Sequence, residues 1–468
     1  MNTKRYCMTQ LFSILAVIAI TFAGCSGSNS GGSAPAPSKT TSKGVITGFG
    51  SVFVNGVEYD TVGASVIMDD SSTTESNLQI GMVVTVSGSI DPSGTTGTAG
   101  TITFADNLEG PVSGIFNAAT SSLVVMGQTV KVNGTTTYHN IGDASLLALN
   151  DMVEVSGFAD AGGAIVATRI EKKSTLFSAG TTTAELKGTV SGLSGSVFSI
   201  NALSVNASGV TMPAGLANGS FVEVRGTLAA AGGPMTATFL EREQSFTAGE
   251  SEHVEVEGIV TDYVSLSSFK VNGVPVNGSA LTGVTIANNM KIEVEGTMVG
   301  GILVAGKSEV ELESTILLES NVSAIGANSL TLLGQTAAVS ATTEFKDSST
   351  ANIRSFSLAN IAVGDHVIVD GYQSANGIVA TSVERLNATT QAKLQGIASA
   401  ATPTASLTIL GVAVDTSAAS FRDINSNAVS AAAFYSSVTP GTTVVKVKWN
   451  TFTSTSAPVN EAEIESVP

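Results

Sequence analysis

This sequence of 468 residues contains little cysteine and few basic side chains. Its two cysteines, Cys7 and Cys25, cannot build a disulfide framework, so the fold must be stabilised by packing. Lys and Arg number 21 against 38 Asp and Glu, which gives a formal net charge of −17. Because nucleic-acid binding depends on neutralising phosphates with Lys and Arg, we expect no nucleic-acid partner.

Aromatic and charged residues are also scarce, at 5% and 13% of the sequence. A chain poor in charge still folds when its apolar residues are numerous and periodic. Here 43% of the residues are hydrophobic, and 49 glycines separate short runs of alternating apolar residues. This pattern predicts many short strands joined by turns, which is typical of an all-β protein.

The first 25 residues have the features of a bacterial export signal. Lys4 and Arg5 precede an apolar run over residues 11–20, which is too short to cross a membrane comfortably. Residues 22–25, Phe-Ala-Gly-Cys, resemble the bacterial lipobox. The resemblance implies a signal peptide over residues 1–24 and lipidation of Cys25, with an ordinary signal peptide as the alternative. It also implies the outer membrane rather than the inner one, since residue 26 is serine and not aspartate.

A flexible linker is predicted to follow the lipidated cysteine and to end at residue 42. Residues 26–42 are mostly Gly, Ser, Pro and Thr, a composition that behaves as a random coil. We therefore expect residues 25–42 to join the folded part to a membrane through acyl chains. Whether the protein faces the periplasm or the outside is not encoded in these residues.

A short strand pattern, Gly-Met-Val-Val-Thr-Val-Ser-Gly over residues 81–88, is repeated along the chain. The glycines that close it recur at intervals of 69 to 75 residues, which indicates a tandem array of one small module. Near copies of the pattern lie at residues 150–157, 219–226, 289–296 and 364–371, with a weaker one at 441–448. The repeat predicts six modules, of which the last is divergent, at residues 43–109, 110–178, 179–249, 250–313, 314–388 and 389–468.

Each module is predicted to be a five-stranded barrel. In the first, Asn55-Gly56 joins two strands, and such a pair favours a tight hairpin because both residues tolerate positive φ. The order along a module is three strands, a short segment of helical character, and two further strands. This order matches an OB-like barrel, which closes on itself and leaves no edge. An array of six β-sandwich units is the alternative.

Two segments of module 1 resemble a known family. Residues 48–56, Gly-Phe-Gly-Ser-Val-Phe-Val-Asn-Gly, and residues 78–88, which contain the repeated strand, are similar to the bacterial repeat family described as a domain of unknown function, DUF5666. The resemblance implies a tandem, exported β-barrel protein and supplies no activity or catalytic residue.

No arrangement of residues in the sequence points to catalysis. His139, His253 and His366 fall in three different modules, and a metal site needs ligands that converge, so we interpret them as isolated surface or loop residues. No Ser/His/Asp set and no cysteine nucleophile is evident. We therefore predict that the protein is not an enzyme and has no catalytic residue or confident cofactor.

Module 4 contains the one constellation of charged residues that calls for an explanation. Alternate spacing places glutamates on one face of its first, fourth and fifth strands. If the barrel is OB-like, the fourth strand lies between the other two, and the carboxylates form one acidic face. The residues are Glu255, Glu257, Glu293, Glu295, Glu309, Glu311 and Glu313. This pattern predicts a weak, oxygen-ligated Ca²⁺ site or a contact for a basic partner, with a solvated outer face as the alternative.

These observations favour a non-catalytic, cell-envelope lipoprotein that acts as a β-barrel scaffold or as a binding or adhesion protein. The alternative is an array of modules that bind a polysaccharide or an envelope protein, assisted by Ca²⁺ at the acidic face of module 4. An enzyme is the third hypothesis and would require a deep pocket with perturbed carboxylates.

Overall fold

The computed structural model describes residues 38–243, 246–311, 314–403 and 405–465. The predicted signal peptide, Cys25, the linker up to residue 37 and Glu313 lie outside the described residues. The described chain is all-β, as predicted, and its one α-helix is Ala431–Ser437 (α1). Among these residues, no helix combines the length and the apolar character needed to cross a bilayer.

Modules 1, 2 and 3 contribute the first eighteen strands. Module 1 (residues 38–104) contains β1 (Ser38–Phe49), β2 (Val52–Val54), β3 (Val57–Asp60), β4 (Ser65–Met68), β5 (Ser71–Thr73), β6 (Val83–Ile90) and β7 (Thr96–Phe104). Module 2 (108–176) contains β8 (Leu108–Asn117), β9 (Ser122–Val125), β10 (Gln128–Lys131), β11 (Thr137–His139), β12 (Asp151–Ala159) and β13 (Ile165–Leu176). Module 3 (183–242) contains β14 (Thr183–Ser194), β15 (Val197–Ile200), β16 (Leu203–Asn206), β17 (Phe221–Leu228) and β18 (Met235–Arg242).

Modules 4, 5 and 6 contribute the other strands. Module 4 (253–311) contains β19 (His253–Ser265), β20 (Ser268–Val271), β21 (Val274–Asn277), β22 (Lys291–Val299) and β23 (Ile302–Glu311). Module 5 (316–385) contains β24 (Ile316–Asn321), β25 (Ala324–Gly326), β26 (Ser329–Leu332), β27 (Gln335–Ala338), β28 (Glu344–Asp347), β29 (His366–Ser374) and β30 (Gly377–Arg385). Module 6 (392–465) contains β31 (Ala392–Thr402), β32 (Ser406–Ile409), β33 (Val412–Asp415), β34 (Ser420–Arg422), β35 (Ala428–Val429), α1, β36 (Val444–Trp449) and β37 (Glu461–Glu465).

Modules 1 to 4 are closed five-stranded barrels, which confirms the predicted OB-like fold. In module 1 the ring runs β1-β2-β3-β7-β6 and returns to β1, with β3 and β7 parallel. In module 5 the first strand is split into β24 and β25. Module 6 departs from the pattern, because β33 pairs only with β32 among the described strands and the ring stays open there. The segment of helical character is a single 3-10 turn in modules 1, 2 and 5 and the helix α1 in module 6.

The hairpin between the second and third strands has the predicted positive φ angles. Asn55 and Gly56 have φ values of 53° and 72°, and Asn272 and Gly273 have 48° and 77°. An Asn side chain tolerates this left-handed region, and glycine has no Cβ to clash in it. The tight turns therefore form as the sequence predicts.

The modules pair through their first strands, which the sequence did not predict. β1 lies parallel to β19, so modules 1 and 4 share one sheet. β8 is antiparallel to β14, and β24 is antiparallel to β31, so modules 2 and 3 share a second sheet and modules 5 and 6 a third. From residue 38 onward the modules form one compact unit.

The end of the predicted linker is part of this pairing, and the prediction for residues 38–42 is wrong. These residues begin β1 and pair with both β6 and β19. Thr40, Thr41 and Ser42 are buried, and the Thr41 hydroxyl donates to Glu252 at 2.7 Å. Their polar composition resembles that of a linker, but the hydroxyls of Thr41 and Ser42 find carboxylate acceptors between two modules, which offsets the cost of burying them.

The closing glycine of each repeat has a steric cause. At Gly88, Gly157, Gly226, Gly296 and Gly371 the ladder to the fifth strand shifts register by a bulge. A Cβ added at any of them would lie far inside van der Waals contact of a backbone carbonyl oxygen on that strand. The carbonyl is fixed by its own ladder, so only glycine fits, and this accounts for the period seen in the sequence.

Replacing Gly296 by alanine should therefore destabilise module 4 by about 2 kcal/mol, since overpacking against fixed backbone costs about 1–3 kcal/mol. Gly306 on β23 is a matched control, because a Cβ there meets no atom within 4 Å. Thermal unfolding of Gly296→Ala and Gly306→Ala should show a lowered melting temperature for the first variant alone. Equal melting temperatures would contradict the steric explanation.

Candidate functional site

The glutamates of module 4 lie on three adjacent strands, with β22 between β19 and β23 as the sequence predicts. Glu255 is paired with Glu295 and Glu257 with Glu293 across β19 and β22. On the other side of β22, Glu293 is paired with Glu309, and Glu311 with Lys291. Five of the seven predicted glutamates therefore lie side by side on the three strands. Glu311 lies at the end of β23, and Glu313 lies outside the described residues.

The first-strand glutamates are covered by module 1. Glu255 and Glu257 are only 5% and 6% exposed, so the alternative of a solvated face is wrong at these two positions. Glu255 accepts a hydrogen bond from the Ser42 hydroxyl at 2.7 Å. Glu257 accepts one from the Val45 backbone N–H at 2.7 Å and lies 2.6 Å from the Lys291 ammonium. Both carboxylates stabilise the junction of modules 1 and 4.

The remaining members of the acidic face are more accessible. Glu295 lies 2.8 Å from the Lys307 ammonium and 3.7 Å from the His253 ring. A hydrogen bond with Glu255 raises the pKa of His253 above its ordinary value. Glu293 is half-buried and Glu309 is exposed. The Glu309 carboxylate is therefore accessible to a partner.

A cavity of about 160 Å³ opens beside Glu293 and Glu309, where modules 1, 2, 4 and 5 meet. Module 4 lines it with Glu257, Lys291, Glu293 and Glu309. The polar groups from the other modules are Thr47, Asn55, Thr135, Thr168, Ser340, Thr342, Glu344, Tyr372 and Thr381. The lining contains three carboxylates, the carboxyl group of Glu344 and one ammonium, so its charge is complementary to a positively charged group.

Glu344 is the most unusual side chain of this cavity. It is 6% exposed, and its Oε1 atom has no hydrogen-bond partner among the described residues. Burial raises the pKa of Glu344 from 4.5 to about 8, while Lys346 and Lys291 act in the opposite direction. The Oδ1 atom of Asn55 is also buried without a partner within the described chain. Two oxygen acceptors are thus left for a donor or cation that enters the cavity.

Sequence reasoning missed Glu344, Asn55 and Lys291 as members of the site. Glu344 comes from module 5, and no periodicity within module 4 can report a residue from another module. Asn55 was identified only as a turn residue. The site depends on how modules pack, which the repeat alone does not encode.

One of the three histidines is not on the surface. His366 is 2% exposed, and its ring lies 2.8 Å from Asn321 Oδ1 and 3.4 Å from Glu319 Oε1. The prediction of a surface or loop residue is wrong for His366. Both ring nitrogens thus lie within hydrogen-bond distance of a side-chain oxygen, which is typical of a structural buried histidine.

Closed barrels with this ring order define the chain as a tandem array of OB-like modules. The family model described as "Domain of unknown function (DUF5666)" matches residues 43–103, 109–171, 187–241 and 319–384, together just over half of the chain. The chain belongs to this family. The matches fall on modules 1, 2, 3 and 5, while module 4 has the same fold outside them. No curated protein matches the sequence.

Proposed function

We propose that this protein is a non-catalytic, lipid-anchored scaffold of the bacterial cell envelope, held at the outer membrane through Cys25. The observation that supports it best is the interlocking of the modules through their first strands, such as β1 with β19. An array joined by shared sheets is a rigid body that can present its loops at a fixed distance from an anchor, whereas flexibly linked domains cannot.

Contacts beyond the shared sheets support the same proposal. The Arg354 guanidinium in module 5 donates to the carbonyl oxygens of Leu78 and Glu75 in module 1, at 2.6 Å each. It also lies 3.8 Å from the centre of the Phe49 ring. In module 2, the Thr168 hydroxyl donates to Gly81 of module 1 at 2.6 Å. Modules distant in sequence are thus held together.

The anchor is tested by metabolic labelling with a radioactive fatty acid and by fractionation of cells that express the full chain. The wild-type protein should take up the label and fractionate with the outer membrane. Cys25→Ser should lose the label and leave the membrane fraction. Cys7→Ser is the matched control and should behave as the wild type, because Cys7 lies in the segment predicted to be removed. Label retained in Cys25→Ser would overturn the anchor.

A second candidate function is binding of a polysaccharide or an envelope protein through the acidic face of module 4, assisted by Ca²⁺. The cavity beside Glu293 and Glu309 favours it, because its lining is rich in carboxylates and hydroxyls. Its carboxylates come from different strands and modules, an arrangement that suits a positively charged group of a partner. Aromatic side chains give little support to polysaccharide binding, since Phe104 and Phe269 belong to the cores.

This second function is tested by following the melting temperature of the purified full chain as CaCl₂ is added. A rise that disappears in the double variant Glu293→Gln with Glu295→Gln would support a Ca²⁺ role of the acidic face. A rise that the double variant retains would assign the cation to another site. A partner held by charge alone should bind the wild type more tightly than the double variant and lose affinity with added salt.

A further inference from the structure

A second group of carboxylates lies where modules 1, 2 and 3 meet, far along the chain from the acidic face of module 4. We call it the Asp106 cluster. Its members are Asp69, Asp106, Glu109, Glu154 and Glu185. Oxygen atoms of Asp69, Asp106 and Glu185 all lie within 4.8 Å of one another, and those of Asp106, Glu109 and Glu154 do as well. Asp106 belongs to both sets and is the centre of the cluster.

Strand pairing places the three glutamates side by side. Glu109 on β8 is paired with Glu154 on β12 and with Glu185 on β14. Like charges directly across strands are destabilising, so a row of three carboxylates needs compensation. Asp69 comes from module 1 and Asp106 from the connection between modules 1 and 2, so two further carboxylates add negative charge to this row.

The backbone around Asp106 is fixed between modules 2 and 3. Asp106 lies in the connection from β7 to β8, next to Asn107. The Asn107 N–H donates to the Val155 carbonyl at 2.9 Å, and the Lys187 N–H donates to the Asn107 carbonyl at 2.9 Å. The main chain next to Asp106 is therefore fixed, which is what a residue that binds a metal ion requires.

The Asp106 carboxylate lacks full compensation in the structure. The residue is 3% exposed, and its Oδ1 atom accepts no hydrogen bond from any described residue. The nearest cation, the Lys187 ammonium, lies 3.7 Å from Oδ1 and is closer to Glu185, at 2.6 Å, and to Glu223, at 3.3 Å. Burial raises the pKa of Asp106 well above its ordinary value, against the opposing effect of Lys187. An unpartnered buried carboxylate is costly and is usually satisfied by a cation.

Protein cations balance only part of the cluster. Lys173 lies 2.6 Å from Glu154 and 3.6 Å from Glu109, and Lys187 serves the opposite side. The Arg225 guanidinium also contacts Glu185, at 2.9 Å. Three cationic side chains thus face the five carboxylates of the cluster. Hard divalent cations bind through several carboxylate oxygens, and Ca²⁺ accepts irregular geometry and more ligands than Mg²⁺ does.

We propose that the Asp106 cluster binds Ca²⁺, with Asp69, Asp106 and Glu185 as ligands and with Lys187 and Arg225 as the competing cations. The bound ion would join module 1 to module 3, whose first strand carries Glu185. This inference does not rest on the proposed scaffold or on the acidic face of module 4. The site was not evident in the sequence, because its members come from three modules.

The test measures calcium binding by the purified full chain with isothermal titration calorimetry and thermal unfolding. Addition of CaCl₂ should raise the melting temperature in a saturable manner, MgCl₂ should raise it less, and NaCl of equal ionic strength should not reproduce the effect. Asp106→Asn should abolish the calcium-dependent rise. Lys187→Gln keeps every ligand and removes the competing cation that contacts Asp106, so it should lower the dissociation constant at least several-fold.

Three results would overturn the proposal. The first is no change in the wild type at about 10 mM CaCl₂, which exceeds the dissociation constants of weak extracellular sites. The second is an unchanged calcium response in Asp106→Asn. The third is a response lost only in Glu293→Gln with Glu295→Gln, which would assign the ion to module 4. If Asp106→Asn unfolds without calcium, Asp69→Asn replaces it, since Asp69 is only partly buried, and the same loss of response is expected.

Discussion

Glu344→Gln should make the protein more stable than the wild type at pH 9 and leave its stability nearly unchanged at pH 4. The change removes an ionisable group from the cavity between modules 1, 2, 4 and 5 and keeps the size of the side chain. The effect is expected to grow steadily as the pH rises through the window between these values. It is one of the two largest effects that the structure predicts.

The direction of this pH dependence follows from the number of protons that the folded and the unfolded states bind. Burial raises the pKa of Glu344 to about 8 in the folded protein, against 4.5 for an ordinary glutamate. Between these values the folded state keeps a proton that the unfolded chain has lost, so the wild type loses stability as the pH rises. One pKa unit corresponds to about 1.4 kcal/mol, and the whole window therefore amounts to roughly 5 kcal/mol. Above pH 8 the loss is complete.

The measurement is the melting temperature of the wild type and the variant at several pH values from 4 to 9. The difference between the two proteins isolates Glu344 from the other titrating groups, of which Lys346, Lys291, Glu384 and Glu257 act on it most closely. Glu309→Gln is the matched control, because it alters an exposed carboxylate of the same cavity. The melting temperature of Glu309→Gln should match that of the wild type at every pH. A Glu344→Gln difference that does not change with pH would contradict the prediction.

The same property gives the cavity a means of responding to a ligand. A carboxyl group that is neutral for lack of a partner ionises when a cation arrives beside it, because the new charge favours the carboxylate form. The ionised form of Glu344 therefore destabilises the free protein, but in the second candidate function it would strengthen the binding of a positively charged partner. Variants that gain stability here should therefore bind a positively charged partner less well.

The fold could be predicted from the sequence at positions where only one local structure suits the residue type. The closing glycines mark bulges at which any side chain would meet a carbonyl oxygen, and the Asn55-Gly56 and Asn272-Gly273 pairs mark turns with positive φ. Alternating valines such as Val84 and Val86 mark the buried face of a strand. These signals are local, and they suffice for the barrel and its strand order.

The packing of the modules could not be predicted, because the residues at the junctions are compatible with more than one structure. A polar run such as residues 38–42 suits a linker as well as a strand whose hydroxyls meet Glu252 and Glu255. Which first strands pair depends on complementarity between surfaces of different modules, and β1 and β19 belong to modules that are not neighbours in the sequence. For the same reason the sequence identified the glutamates of module 4 but not Glu344 or Asp106.

Glu257→Ala should destabilise the protein by roughly 3 kcal/mol, since breaking a buried ion pair costs about 3–5 kcal/mol. The change leaves the Val45 N–H without its acceptor at the start of module 1 and removes the carboxylate 2.6 Å from Lys291. Glu257→Gln keeps an acceptor for Val45 and should lose less. Chemical denaturation of the full chain measures both variants.

Glu295→Ala supplies the comparison on the same face. The pair of Glu295 with Lys307 is accessible to solvent, with the lysine side chain 75% exposed, and such pairs contribute about 0–1 kcal/mol. A double-mutant cycle with Lys291→Ala should assign a coupling energy to Glu257 and Lys291 and none to Glu295 and Lys291. Equal losses at positions 257 and 295 would mean that module 1 does not exclude water from β19, and the junction of modules 1 and 4 would then not be the rigid one that the scaffold requires.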